Sequence, residues 1–241
     1  MDASLRGLIE ALHAGPYRYV VAVTGGGAGA VAALLSVPGG SRTLLEAVVP
    51  YHERALTEFL GRAPEQFCSA DAARAMAARA RDRARWLAPG EAVAGAGCTA
   101  SLASDRPKRG EHRAYVAVDT GGETLTCSLT LTKGARDRAG EEAVIAAVLL
   151  DALALAFGHP QRAEVPLLPG EEVRTERTSA GALAALFRGE VFAVCVEPDG
   201  RVRTDAPPPR LTVPGAFNPV HAGHWGLAEV AGRLTGLSPA F

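Results

Sequence analysis

Apolar positions along this chain recur at two spacings, and the switches between them mark out its elements. Leu5, Leu8, Ile9 and Leu12 fall at helical spacing and Gly15-Pro16 ends the run, which predicts a helix over Asp2 to His13. Tyr19 to Val23 is a continuous apolar strand that runs into Thr24-Gly25-Gly26-Gly27 and then into an alanine-rich helix, Ala28 to Leu35. After a Pro38-Gly39-Gly40 turn, Thr43 to Val49 reads as a buried strand. Pro50-Tyr51-His52-Glu53-Arg54 lies at its end, and Glu53 to Leu60 is helical. Ser69-Ala70-Asp71 supplies cap chemistry for a helix with an apolar stripe of Ala72, Ala75, Met76 and Ala80; the opposite face, with Arg74, Arg79, Arg81, Arg83 and Arg85, reads as solvated.

Glu91 to Cys98 is a strand of small residues, followed by an irregular polar loop to Gly110. Arg113 to Asp119 and Glu123 to Thr132 alternate and are joined at Gly121-Gly122, a hairpin pattern. Lys133 to Gly140 is charged, and Glu141 to Phe157 is a strongly apolar helix suited to packing across a sheet. Strands alternating with helices, plus one hairpin, predict an α/β domain over residues 1–158. His159 to Thr178 is rich in proline and glutamate and reads as the start of a linker, residues 159–206, which carries a short helix and a hairpin about Pro198-Asp199-Gly200. Pro207-Pro208-Pro209 marks a second boundary, and residues 207–241 hold a strand, Leu211 to Val213, a polar segment and a helix to Leu234.

Composition narrows the function classes. A chain of 241 residues buries a full core. A net charge of −1 gives no reason to expect nucleic acid or an anionic membrane as partner. The four cysteines lack zinc-ligand or disulfide-framework spacing, so no metal site is expected and a reducing, cytoplasmic setting is. The longest apolar run, Ala143 to Phe157, is interrupted by Asp151 and is too short to cross a bilayer.

The chemistry centres on Tyr19 to Tyr51. Glycines let backbone N–H groups approach a ligand, and the first turn of the following helix offers unpaired donors and partial positive charge. Three glycines alone fit a plain strand-to-helix turn equally well. Polar residues at the carboxyl end of the next strand, Tyr51 to Arg54, are placed where α/β sheets meet their ligands.

Four segments in order make residues 5–158 resemble the CinA C-terminal domain, the fold of bacterial nicotinamide mononucleotide deamidases. They are TGGG before a helix, VPGGS before a strand ending in PYHERAL, CSADAARAMAARAR, and a loop ending in RPKRG before a strand. The resemblance implies a three-layer α/β domain with a mixed sheet, a possible homodimer, and hydrolysis of the nicotinamide carboxamide by a serine activated by a lysine. Such chemistry needs a hydroxyl and a base within hydrogen-bond reach, plus donors for the oxyanion. Carried onto this chain, the nucleophile position holds Thr24, the tyrosine is Tyr51, and the activating lysine is replaced by Leu56. Thr24 with His52 or Arg54 is a replacement pair; the alternative is a decayed hydrolytic site with its nucleotide pocket retained. Gly25, Gly26, Gly27 and Tyr51 are then ligand contacts, with Lys108 and Arg109 candidates for the phosphate.

A shorter resemblance lies near the end. Pro214-Gly215-Ala216-Phe217-Asn218-Pro219-Val220-His221-Ala222-Gly223-His224 is similar to the G-x-F-D-P-x-H-x-G-H signature of the nucleotidyltransferase superfamily, with Asn218 in place of aspartate and His221 and His224 retained. This implies triphosphate stabilisation at a helix N-terminus. Only one strand and one helix follow Pro209, so the expectation is an incomplete Rossmann-like βα unit, and Mg²⁺ enters only for a complete nucleotidyltransferase. Taken together, the sequence predicts a CinA-like protein of pyridine-nucleotide metabolism that binds nicotinamide mononucleotide or a related nucleotide at an impaired amidohydrolase site. The alternatives are an active deamidase using Thr24, or a fragment of a nucleotidyltransferase fusion.

Overall fold

The computed structural model describes residues 1–105, 109–179, 181–187, 189–196, 202–204, 210–215 and 221–240. The chain divides into two compact units, Met1–Ala180 and Gly181–Phe241. In the first, the order is α1 (Ala3–Ala14), β1 (Arg18–Val23), α2 (Ala28–Ser36), β2 (Leu44–Val48), α3 (Glu53–Leu60), α4 (Ala70–Leu87), β3 (Val93–Ser101), β4 (His112–Asp119), β5 (Glu123–Leu131), α5 (Arg138–Ala156) and β6 (Arg174–Ser179). The strands form one six-stranded mixed sheet in the order β2-β1-β3-β4-β5-β6. β1 pairs in parallel with β2 and β3, and the remaining pairings are antiparallel.

Both faces of the sheet are covered along β1, which is why it is apolar from Tyr19 on: Tyr19 to Val23 are all fully buried. Tyr19, Val21 and Val23 join Leu8, Ile9 and Leu12 of α1, Leu34 of α2 and Ile145, Leu149 and Leu153 of α5 in the larger core. Val20 and Ala22 face the other way, onto Leu56 of α3 and Met76, Ala80 and Ala84 of α4. The result is the three-layer α/β arrangement expected from the sequence.

The layer over α4 is unusually thin, for a reason written in the side chains. The buried stripe of α4 is alanine except for Met76 and Arg81, and it lies over Gly95 and Gly97 of β3. A Cβ on Gly95 would sit 2.1 Å from the Arg81 backbone nitrogen, and one on Gly97 would sit 2.4 Å from the Ala73 carbonyl oxygen. Helix backbone therefore rests directly on strand backbone, fixed at its start by Ser69, whose Oγ accepts from the Ala72 N–H at 3.1 Å.

One arginine of this helix departs from the expected solvated face. Arg81 is buried, with its Nε 3.9 Å from an Asp119 oxygen at the end of β4 and its guanidinium against Gly121. Arg83 is partly exposed as expected, paired with Glu46 at 2.8 Å and lying 4.6 Å over the Trp86 ring.

The expected linker differs most. Residues 159–173 pack onto the larger core through Ala163, Val165, Leu167 and Val173, and β6 then adds an edge strand along β5 in the register Thr126↔Glu176. The first unit thus runs on to Ala180 rather than ending at 158. Glu171 anchors this stretch: its carboxylate accepts from the Arg136 guanidinium at 2.7 and 2.9 Å and from the Thr132 and Leu168 N–H groups at 2.7 and 2.8 Å. The Arg136 contact, together with those N–H donors, outweighs burial and lowers the Glu171 pKa to about 2.

In the second unit, α6 (Ala182–Phe187) precedes a small antiparallel pair, β7 (Cys195–Val196) with β8 (Val202–Arg203), and α7 spans Ala222–Thr235. Thr212 forms an isolated parallel bridge with Ala240 where a longer strand was expected. Among the described residues, no helix is long and apolar enough to cross a membrane.

Candidate functional site

The chain leaves β1 to one side, through α2 into β2, and returns on the other side as β3. That reversal opens a crevice at the carboxyl ends of β1 and β3, the usual ligand position in such sheets. A cleft of about 400 Å³ lies there, walled by Thr24, Tyr51, Glu53 and Leu56 on one side and by Cys68, Thr99, Ser101, Leu102 and Arg138 on the other. A larger hollow of about 680 Å³ lies beside β2, around Phe59, Arg79 and Arg83. Arg79 and Arg83 are engaged there by the Phe59 carbonyl and by Glu46, so the smaller cleft is the better candidate.

Thr24 follows the last residue of β1, and its N–H donates to the Cys98 carbonyl of β3 at 3.0 Å. This holds its hydroxyl in the cleft, where Oγ1 donates to Thr99 Oγ1 at 3.3 Å; the Thr99 hydroxyl in turn donates to the Phe67 carbonyl at 2.7 Å. Tyr51 covers the turn. An added Cβ on Gly25, whose φ is +101°, would fall 2.5 Å from the Tyr51 ring, so only glycine lets the ring lie on the backbone here. The Tyr51 side chain is otherwise open, with the residue 72% exposed. Gly26 is pressed against Ala100 in the same manner: an added Cβ there would fall 2.5 Å from the Ala100 Cβ.

Gly27 is the N-cap of α2 and has no side chain with which to cap it. The cap comes instead from α5, where one Glu142 oxygen accepts from the Gly27 N–H and the other from the Gly29 N–H, both at 2.9 Å. Its neighbour Glu141 is fully buried, pairs with His112 Nδ1 at 2.6 Å, and accepts from the Ala103 N–H at 2.6 Å. Arg138 donates to the Ala103 carbonyl at 3.3 Å. The first two turns of α5 therefore hold both the glycine turn and the wall of the cleft that continues from β3.

Of the residues singled out from sequence, Thr24, Tyr51 and Leu56 line the cleft, with Gly25 beneath the Tyr51 ring and Gly26 behind Ala100 and Leu102. His52 caps α3, with its Nδ1 accepting from the Arg54 N–H at 3.2 Å. Neither His52 nor Arg54 lines the cleft. Arg109 is exposed, and Lys108 lies outside the described residues. Sequence reasoning missed Arg138, Glu53, Thr99 and Cys68. The Asp137-Arg138 pair at a helix start was the available signal for Arg138, since Asp137 caps α5 through the Gly140 N–H at 2.7 Å. Burial pushes the Cys68 thiol pKa up against hydrogen bonds that pull it down, and burial pushes that of Cys98, beneath the turn, higher still. Both are poor nucleophiles at neutral pH. Among the described residues, no group of three or more histidine, cysteine, aspartate or glutamate side chains could hold a metal ion.

In the second unit, His221 caps α7. Its Nδ1 accepts from the Gly223 N–H at 3.2 Å, the His224 Nδ1 accepts from the His221 N–H at 3.2 Å, and the two rings stack with centroids 3.8 Å apart. Asn218 lies outside the described residues.

No protein-family model matches the sequence, and no curated protein does. Solved structures do match. A competence/damage inducible protein from Agrobacterium tumefaciens aligns over 66% of this chain and 96% of its own, at 19% identity and a TM-score of 0.52. A competence or damage-inducible protein from Enterobacter asburiae aligns over 65% and 98%, at 18% identity and 0.52. A CinA superfamily protein from Klebsiella pneumoniae aligns over 66% and 99%, at 17% identity and 0.52. Over about two-thirds of its length, the chain has the fold of the CinA superfamily.

Proposed function

We propose that the first unit binds nicotinamide mononucleotide or a related nucleotide in the cleft at the carboxyl ends of β1 and β3, and that it does so without hydrolysing the amide. The observation that carries this reading is the set of groups around Thr24. Its hydroxyl is shared with Thr99, whose own proton goes to a carbonyl, and the wall beside it is Leu56, which can neither take nor give a proton. A hydroxyl nucleophile needs a base in reach, and His52 is engaged as a helix cap. Glu53 lines the same cleft, and a hydrolytic role would fall to it.

Binding has what it requires. The volume suits a small ligand, the Tyr51 ring offers a flat exposed face for stacking a heterocycle, and Arg138 supplies a guanidinium for a phosphate. Lys108 and Arg109 are the phosphate candidates named from the sequence. Calorimetric titration of nicotinamide mononucleotide into the wild type and into Tyr51→Ala, Arg138→Ala and Lys108→Ala tests the assignment. Saturable wild-type binding that Tyr51→Ala and Arg138→Ala each weaken about tenfold supports it, and unchanged affinity in both removes it.

A second reading concerns α7. Because each imidazole accepts a backbone N–H at Nδ1, the neutral rings carry their proton on Nε2, a donor suited to phosphate oxygens at a helix start. Loss of ATP binding in His221→Ala with His224→Ala is the expected result for a nucleotidyltransferase-like role, and absence of ATP binding to the wild type would end it.

A further inference from the structure

The glycine turn reads from sequence as a seat for an anion. The structure puts a side chain of the protein itself in that seat. Glu142 stands 115 residues along the chain from Gly27, yet its two carboxylate oxygens take the Gly27 and Gly29 N–H donors at 2.9 Å each, the two-pronged contact that a phosphate makes at a helix N-terminus. Nothing closer in sequence does this, because the N-cap is a glycine in the left-handed region, φ +85°. The carboxylate is also held in place: it belongs to α5, whose next residue toward the helix start, Glu141, is locked by His112 and Ala103.

We infer that Glu142 is a built-in anion that closes the α2 N-terminus to phosphate and so sets which end of a ligand meets the turn. A phosphate brought to Gly27 and Gly29 would find both donors engaged and a like charge at contact distance, where repulsion is strong and weakly screened. The group facing Thr24 and Gly25 is therefore uncharged, such as a carboxamide-bearing ring or a ribose. The anionic group of the ligand lies across the cleft on the Arg138 side. Glu142 is a specificity-determining residue that acts by excluding one orientation. Only the identity of the ligand rests on the nucleotide reading above; the exclusion is testable with inorganic phosphate alone.

Amide resonances of Gly27 and Gly29, followed by NMR during titration with inorganic phosphate, give the direct test in the full chain. In the wild type these resonances stay in place. In Glu142→Ala they shift saturably, with phosphate association raised about tenfold or more, and Glu142→Gln, which keeps the size and removes the charge, shows a smaller gain. Saturable shifts of these two amides in the wild type would overturn the inference, as would a folded Glu142→Ala that gains nothing. If Glu142→Ala does not fold, Glu142→Gln decides on the same criterion. Failure of nicotinamide mononucleotide to bind the wild type would remove the nucleotide reading and leave the phosphate result standing.

Discussion

Replacing Gly97 by alanine tests how the sheet is built beneath the cleft. The new Cβ would lie 2.4 Å from the Ala73 carbonyl oxygen, 2.6 Å from the Met76 Cβ and 2.7 Å from the Ala77 nitrogen. Two of these three atoms are helix backbone, which no rotamer change can move, so α4 must recede by about 1 Å to restore ordinary contact. A gap of that size forfeits a quarter to a half of the dispersion energy along the interface, which here includes Ala73, Met76, Ala77, Ala80 and Ala84. Overpacking of a closed core costs about 1–3 kcal/mol, and with backbone as the obstacle the expected loss is at the upper end, about 3 kcal/mol. In a unit of this size that lowers the melting temperature by roughly 6–12 °C. Thermal unfolding followed by circular dichroism reads the shift, with Gly122→Ala as control, since no heavy atom lies within 4 Å of its added Cβ. A Gly97→Ala protein within about 1 kcal/mol of wild type would refute the close-packed account of α4.

Other expectations follow from individual contacts. Glu171, with its pKa lowered to about 2 by Arg136 and two backbone donors, contributes stability that is present above its unfolded value and is lost as pH falls through the folded one. Urea unfolding from about pH 5 to about pH 2 is therefore expected to show a shallower loss of stability in Glu171→Gln than in wild type, and parallel curves would contradict the anchor. Glu142→Ala removes a carboxylate from two partly exposed donors; a loss of about 1–2 kcal/mol is expected from chemical denaturation, and no loss would mean that water replaces it fully. Leu56→Lys is expected to destabilise the fold by 2 kcal/mol or more, roughly, because the side chain is buried in the α3–α4 core; unfolding measurements read this directly.

Most of the first unit was legible because its segments obey one rule each. β1 is apolar on both faces and lies inside the sheet between β2 and β3; α4 begins at Ser69 and buries its small side; β4 and β5 alternate and pair in a hairpin. What escaped were elements whose fixing contacts lie far off in sequence. β6 is Arg-Thr-Glu-Arg-Thr-Ser, exposed throughout, and is a strand only because β5 offers it an edge. Residues 159–173 have too much proline for a periodic pattern but are tied down by Glu171, Gln161 to the Ser4 carbonyl, and Arg162 to Asp151. Arg81 looked like one more solvated arginine until Asp119 was brought beneath it by a strand hairpin.

The site divides along the same line. Thr24, the glycines and Tyr51 follow their strands directly, so their convergence could be read from order and spacing. Arg138 lines the cleft and Glu142 holds the glycine turn from a helix more than a hundred residues beyond Thr24, and no local signal says that a carboxylate there will reach Gly27.

The most direct test of the central claim is incubation of the purified chain with nicotinamide mononucleotide and with its acid form, following binding by calorimetry and conversion by mass spectrometry. Saturable binding of the nucleotide with no amide converted to acid is the result this account predicts. Conversion that Thr24→Ala abolishes would contradict it by showing a working nucleophile beside Leu56, and no binding of either compound would leave the cleft without the ligand proposed for it.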